Sequence, residues 1–329
     1  MYDNLADVGW TENQWSTVQR TVEEEAQKAR IGRRFLPVVG PLPPEVTAVP
    51  PLTLTTANDP NVPNPLVGAP GFVASLRFEA NTDPTLFLAT ISVLVELPKS
   101  QLADPQMSGA LTMFRRAANY IARVEDAIIF NGQPGPNLPP PIVPAGLIPA
   151  VYRVTGGGLA GGAAPGLIPA APVPLAPGGA AVGDRLSVQI GAGLGGLDLI
   201  NAVIAARTLL EANGQFGPFH CIFSATLQRV ATTPTGNLIM PLDRILPHLD
   251  GGSVFNSSIV ADPPNPPPAR FPLGAVVAGN GSPLELVVGS DICVKFLQTT
   301  LEPRWVFRVS ERIAFRLKDA KSIAVIYQP

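Results

Sequence analysis

Charge is scarce in this 329-residue chain: Asp, Glu, Lys and Arg make up 15% of it, where an ordinary soluble protein carries about a quarter. The formal net charge is -2, and the few Lys and Arg are spread along the chain, so no basic footprint for nucleic acid forms. A soluble chain this poor in charge either exposes neutral polar surface or buries much of its exterior against other subunits, where charge is depleted. The composition favours burial by assembly.

Histidine and cysteine are nearly missing, with two of each. His220 and His248 come with no Cys-x-x-Cys or His-x-x-x-His spacing, which leaves no metal-site pattern. Cys221 and Cys293 sit far apart in the apolar runs "FHCIFS" and "SDICVKFL", where they read as small core residues of strands in a reducing compartment. No apolar run free of Pro or charge reaches the roughly 18 residues that cross a bilayer. The start "MYDNLADVGW" has no basic region followed by an apolar core, so a cytoplasmic protein without a membrane partner is expected. There is neither a G-x-S-x-G elbow nor a phosphate loop ending in Gly-Lys-Ser/Thr. No enzyme and no cofactor is expected.

What the chain has is apolar content, 46%, and an abundance of Pro (38) and Gly (31). Residues 11–30 place Trp15, Val18, Val22, Ala26 and Ala29 at three- and four-residue spacing, an amphipathic helix with Thr11 as its cap. Pro at 37, 41, 43, 44, 50 and 51 then forces extended chain. "LTLTT" and "FVASLRFEA" predict the two strands of a long hairpin arm within 46–84, and "TLFLATISVLVEL" a further strand. Asp104-Pro105 opens a long helix running to about Phe130, with Met107, Ala110, Phe114, Ala118, Ile121 and Ile128 on one side.

Residues 133–183 hold 12 Pro, 11 Gly and a single charged residue, Arg153, and repeat "GLIPA" at 146–150 and 166–170. They predict an insertion of extended loops packed over the outside of the assembly, since so uncharged a segment makes a large apolar patch if left free. Beyond it, "RLSVQI" predicts a strand, "LDLINAVIAARTLLEANG" a helix closed by Gly214, "FHCIFS" a strand, and 225–233 and 241–249 helices. "SVFNSSIVA", "LGAVVAG", "LELVVG", "ICVKFLQTT", "RWVFRVSERIAFRL" and "SIAVIY" predict strands. Strands and helices do not alternate, which makes the class α+β.

Two motifs carry possible chemistry. "GAGLGG" (191–196) fits the G-x-G-x-x-G of dinucleotide folds, with Glu211 about twenty residues on, but no further βαβ units follow and Glu211 ends a helix instead of a strand. Glu125 and Asp126 are neighbours on the long helix, about 100° apart around its axis, and do not converge on one atom. Structural pairing is the better reading, for instance of Asp126 with Arg123.

The order of segments resembles the encapsulins, nanocompartment shell proteins that share the tailed-phage major capsid (Hong Kong-97-type) fold. The likeness rests on "IGRRFLPVVGPL", "VLVEL", "IARVEDAIIFNG", "LEANGQFGPFHCIFSATLQRV" and "GSDICVKFL…VFRVSERIAFRLKDAKSIAVI", which follow one another in this order. It implies a peripheral domain (1–45, 85–132 and 291–329), an extended loop (46–84) and an axial domain (133–290, with the insertion at 133–183). It implies an icosahedral homo-oligomeric shell whose inner face takes up cargo enzymes, of oxidative-stress or iron-storage type, through a C-terminal targeting peptide. Cargo-docking positions carry over to Trp15, Val18, Val22, Ile31, Arg34 and Phe35, and an opening in the wall to His248 and Asp250 of "DRILPHLDGGS" (243–253). The alternative within the fold is a virus or prophage capsid protein packaging DNA, against which the lack of positive charge weighs.

Overall fold

The computed structural model describes residues 8–58, 76–82, 85–133, 152–160, 164–168, 185–235, 238–260, 271–300 and 302–328. In chain order it forms α1 (Glu12–Ala29), β1 (Val38–Val39), β2 (Ala48–Val49), β3 (Thr53–Asn58), β4 (Leu76–Asn81), β5 (Leu86–Pro98), α2 (Lys99–Leu102), α3 (Ser108–Asn131) and β6 (Tyr152–Leu159). There follow β7 (Leu186–Gln189), α4 (Gly196–Ala212), β8 (Phe219–Phe223), α5 (Ala225–Thr232), α6 (Pro241–Ile245), β9 (Val254–Asn256), β10 (Pro272–Ala278), β11 (Leu284–Thr299), β12 (Arg304–Leu317) and β13 (Ile323–Tyr327).

α1 begins where the sequence places it. The Thr11 hydroxyl accepts the Gln14 amide at 3.3 Å and the Gln14 side chain accepts the Thr11 amide at 2.9 Å, a reciprocal cap. The long helix α3 starts later than Asp104-Pro105 predicts. Asp104 accepts from the amides of Gln106 and Ser108, and Met107 is left-handed at φ 52°, so a side-chain-closed turn precedes the first helical residue.

Two sheets carry the fold. In the first, β1, β11, β12, β5 and β2 lie in that order, with β6 on the other edge of β5. Along β5, Ala89, Ile91, Val93, Val95 and Leu97 point inward while Leu94 and Glu96 point out, the two-residue period of a strand with one face on a core. α1 and α3 cover that face, and Trp10, Trp15, Phe114 and Phe307 meet ring on ring at its centre, Trp10 stacking on Phe307 at 5.0 Å. The two apolar runs "LELVVG" and "ICVKFLQTT" are one strand, β11, whose bulges after Val288 and Ser290 absorb the polar residues between them.

The second sheet runs β7-β13-β10-β8-β9 and is covered on both faces. Ile222, Ala275, Val277, Ile323 and Val325 join the first core, whereas Cys221, Phe223, Val276, Ala324 and Ile326 pack under α4, α5 and α6. Burial on both sides explains why these strands read as unbroken apolar runs. β13 pairs with β7 and β10 in this second sheet, while β6 and β11 pair in the first.

The hairpin of β3 and β4 is present, in register from Thr53↔Asn81 to Asn58↔Leu76, and its two strands pair with each other alone among the described strands. The arm's tip, the first "GLIPA" copy and most of the insertion lie outside the described residues. The second copy is a correction to the expected outer-surface position: Leu167 and Ile168 are buried in the first core, and their amides bond to the carbonyls of Ile129 and Phe130 at 2.8 and 2.7 Å. This segment satisfies acceptors that the end of α3 leaves open.

Candidate docking turn and axial loop

Between α1 and β1 the chain makes one tight 3-10 turn, Gly32–Arg34, and that turn is held from below by the long helix. Asp126 accepts the amide of Ile31 at 3.0 Å and that of Gly32 at 2.8 Å. The packing there leaves little room beyond glycine: a Cβ on Gly32 would run into the tip of Ile129. Arg123 bonds Ser258 instead of Asp126, because a buried carboxylate gains more from two otherwise unpaired amides than from a half-exposed neighbour. Burial raises the Asp126 carboxyl to about 7, with Glu125 adding to the rise and the Gly32 amide opposing it. An acid whose folded pKa is raised contributes most stability below its unfolded pKa; that contribution fades from about pH 4 up through pH 7.

Glu125 turns the other way and meets two arginines, Arg30 Nε at 2.8 Å and Arg33 Nε at 2.9 Å. Glu311 of β12 completes the cluster, accepting from Arg30 at 2.6 Å and from Arg33, while Asp291 of β11 lies 3.2 Å from Arg33. Burial works against the charge on Arg33, but Glu125 and Glu311 outweigh it and hold the guanidinium above its ordinary pKa. Burial and Glu125 push Glu311 up while Arg30 and Arg33 oppose them. The two carboxylates of the long helix are therefore scaffold: they fasten α1, the turn and β12 to α3.

With Arg30 and Arg33 engaged, Arg34 is the arginine that the turn presents to solvent, its Nη2 resting on the Lys28 carbonyl at 2.8 Å. Beside it opens a cavity of about 410 Å³ lined by Glu23, Gln27, Arg34, Val38, Asp291 and others, charged on both sides with Val38 exposed at its rim. The six docking positions read from the sequence separate here. Trp15, Val18 and Val22 are 5%, 0% and 0% exposed and belong to the core, so they offer no surface to a ligand in this chain. Ile31 is half-buried and lines a second cavity of about 290 Å³ with Asn119, Arg123 and Asp126. Phe35, half-buried, faces the second sheet, 5.7 Å from the His220 ring and 5.4 Å from Phe255.

The other sequence-derived positions lie on the loop after α6. Arg207 of α4 braces it, donating to the His248 carbonyl at 3.0 Å and pairing with Asp250 at 3.0 Å. Asp250 is left-handed at φ 48° and 44% of its side chain is exposed. Arg207 thus ties the loop to α4 at His248 and Asp250. The glycine-rich 191–196 turn holds no phosphate cradle, because the Asp198 carboxylate accepts the Gly195 amide at 3.0 Å and fills the space above Gly191. Glu211 pairs with Arg207 at 2.7 Å. Among the described residues no cluster of His, Cys, Asp and Glu is arranged to hold a metal, and no helix is long and apolar enough to cross a membrane.

The sequence gives no sign of the roles of Arg30, Arg33, Asp291 and Glu311, since the two acids lie 258 to 281 residues from the arginines they meet. The one local signal was the density of basic residues in "ARIGRRF" directly after a helix.

Comparison with known proteins agrees with the geometry. Residues 5–138, which hold α1, the turn, the arm and the long helix, match the Linocin_M18 family, described as an encapsulating protein for peroxidase. A virus-like particle protein from Pyrococcus furiosus superposes with a TM-score of 0.57 at 13% identity, covering 96% of this chain and 100% of that one. The capsid of an empty GTA particle gives 0.55 at 15% identity over 90% and 89% of the two chains. The capsid of Myoviridae phage XM1 gives 0.50 at 10% identity over 90% and 91%. Curated protein sequences give no match. The resemblance to encapsulins and the phage-capsid fold read from the sequence are borne out.

Proposed function

We propose that this chain is the non-enzymatic shell protein of an encapsulin-type compartment in the cytoplasm, assembling with copies of itself into a closed icosahedral particle that encloses cargo enzymes. The observation that carries the reading is the match of residues 5–138 to a family of encapsulating proteins, in a chain whose fold extends over nearly the full length of a virus-like particle protein. A peroxidase is the cargo that the family's description favours. The hairpin arm supports assembly, because a two-stranded ribbon is marginal alone and its open edges pair readily with another copy. A DNA-packaging capsid has the same fold; a net charge of -2 argues against a DNA-lined interior.

In this reading, cargo docks by a C-terminal targeting peptide on the turn, with Ile31, Arg34 and Phe35 at the contact and Trp15, Val18 and Val22 as the rigid backing. Arg34 offers a guanidinium for a peptide carboxylate, the cavity beside it takes small side chains, and Val38 gives apolar area. His248 and Asp250 line an opening for ions and small molecules where copies of the axial loop gather. Particles of Arg34→Ala, co-expressed with tagged cargo, are expected to assemble normally and retain about tenfold less cargo, the loss of one charge-assisted contact. Adding Phe35→Ser should remove the remainder. Wild-type cargo loading in both variants places docking elsewhere.

A further inference from the structure

His220 stands at the junction of the docking turn and the axial loop, and its surroundings are almost entirely apolar. The ring lies between Phe35 and Phe255, at 5.7 and 6.1 Å, in a crevice completed by Leu36, Pro37, Val277, Ala278, Gly279, Pro283 and Leu284. None of these residues is ionisable. Asp250 of the loop is paired with Arg207 of α4 at 3.0 Å. Among the described residues the ring has one polar contact: Nδ1 accepts the backbone amide of Ser253 at 3.3 Å. An imidazole that accepts at Nδ1 carries its hydrogen on Nε2 and is neutral.

We propose that His220 is a proton-operated latch on the end of the axial loop, closed when the ring is neutral and released when it takes up a proton. Protonation puts a hydrogen on Nδ1, where it meets the hydrogen of the Ser253 amide, and the accepting lone pair is gone. The ring cannot turn away without giving up its packing on Phe35 and Phe255. The loop is the softer partner: Gly251 and Gly252 precede Ser253, and beyond the latch the bonds of Cys221 to the Ser253 carbonyl and of Arg207 to the loop hold its two ends. Release therefore frees the Ser253 amide and loosens the glycine link before it, and leaves β8 in place. Burial holds the His220 pKa below its ordinary value. Only the neutral ring accepts the Ser253 amide, so the closed loop is favoured while Nδ1 is unprotonated and loses that support as pH falls through the ring's titration. The sign is acid opening.

That opening alters passage through a shell wall rests on the reading of this loop as a pore lining, and the experiment separates the two. Hydrogen exchange of the 250–253 amides is measured in the assembled protein at pH 7.5 and 4.5, well below the ordinary histidine pKa of about 6.5, corrected for intrinsic exchange, for wild type, His220→Gln and His220→Phe. In wild type the protection of Ser253 should drop about tenfold at the lower pH, the worth of one hydrogen bond. His220→Gln, whose amide oxygen accepts at both values, should show no drop, and His220→Phe should be unprotected at both. Equal protection in wild type at the two pH values, or a drop of the same size in His220→Gln, overturns the latch. Influx of a small fluorophore into particles is followed in parallel: loop release with unchanged influx keeps the latch and removes the pore reading.

Discussion

Glu125→Ala is expected to cost about 3–5 kcal/mol of stability and to abolish recovery of assembled protein, the penalty for removing one partner of a buried ion pair. The side chain has no exposed surface, and it forms an ion pair with Arg30 and accepts from Arg33. Its loss leaves two arginines to Glu311, with Asp291 more than half exposed and weakened by solvent. Three elements are released together, because Arg30 closes α1, Arg33 lies in the turn and Glu125 is on α3. Glu125→Gln keeps the shape and one accepting oxygen and should fall between. Denaturant midpoints of the three proteins decide the matter; a loss under about 1 kcal/mol in the alanine variant would put the cluster in the class of surface pairs.

Gly166→Ala should be nearly as damaging, with at least about 3 kcal/mol lost. A Cβ at this position would come within 2.5 Å of the Asn131 carbonyl carbon and 2.6 Å of the Phe130 oxygen, backbone atoms that cannot step aside. The 166–168 segment would have to lift from the end of α3. Two hydrogen bonds of about 1 kcal/mol each go with it, and Leu167 and Ile168, 0% and 4% exposed, lose part of a burial worth about 1.5–3 kcal/mol apiece. Thermal unfolding of Gly166→Ala beside wild type reads the effect; an unchanged midpoint would mean that the contact does not hold the helix end.

These two sites mark where sequence reading stops. α1 was legible because its apolar spacing and its cap are local, as were β5 and the strands of the second sheet, whose residue types follow directly from burial. The start of α3 was misjudged because Asp104 forms a side-chain turn with the same residues that usually open a helix. Helical spacing offers Asp126 a neighbour three residues away, yet its partners are amides 94 and 95 positions back along the chain. The second "GLIPA" looked like surface for want of charge, although an uncharged segment suits a core equally well. Of the docking positions, the helical period identified which residues face inward, and those are the ones a ligand cannot reach. Arg34 is singled out by the resemblance alone; that Arg33 beside it is tied down depends on Glu125 and Glu311, which no spacing announces.

The central claim is that copies of this chain close into a shell. The most direct test is to image the purified full-length protein, negatively stained, and to measure its mass by light scattering at micromolar concentration. The account predicts uniform, closed, hollow particles of icosahedral outline and no persistent small species. A folded, stable monomer or dimer under these conditions would contradict it.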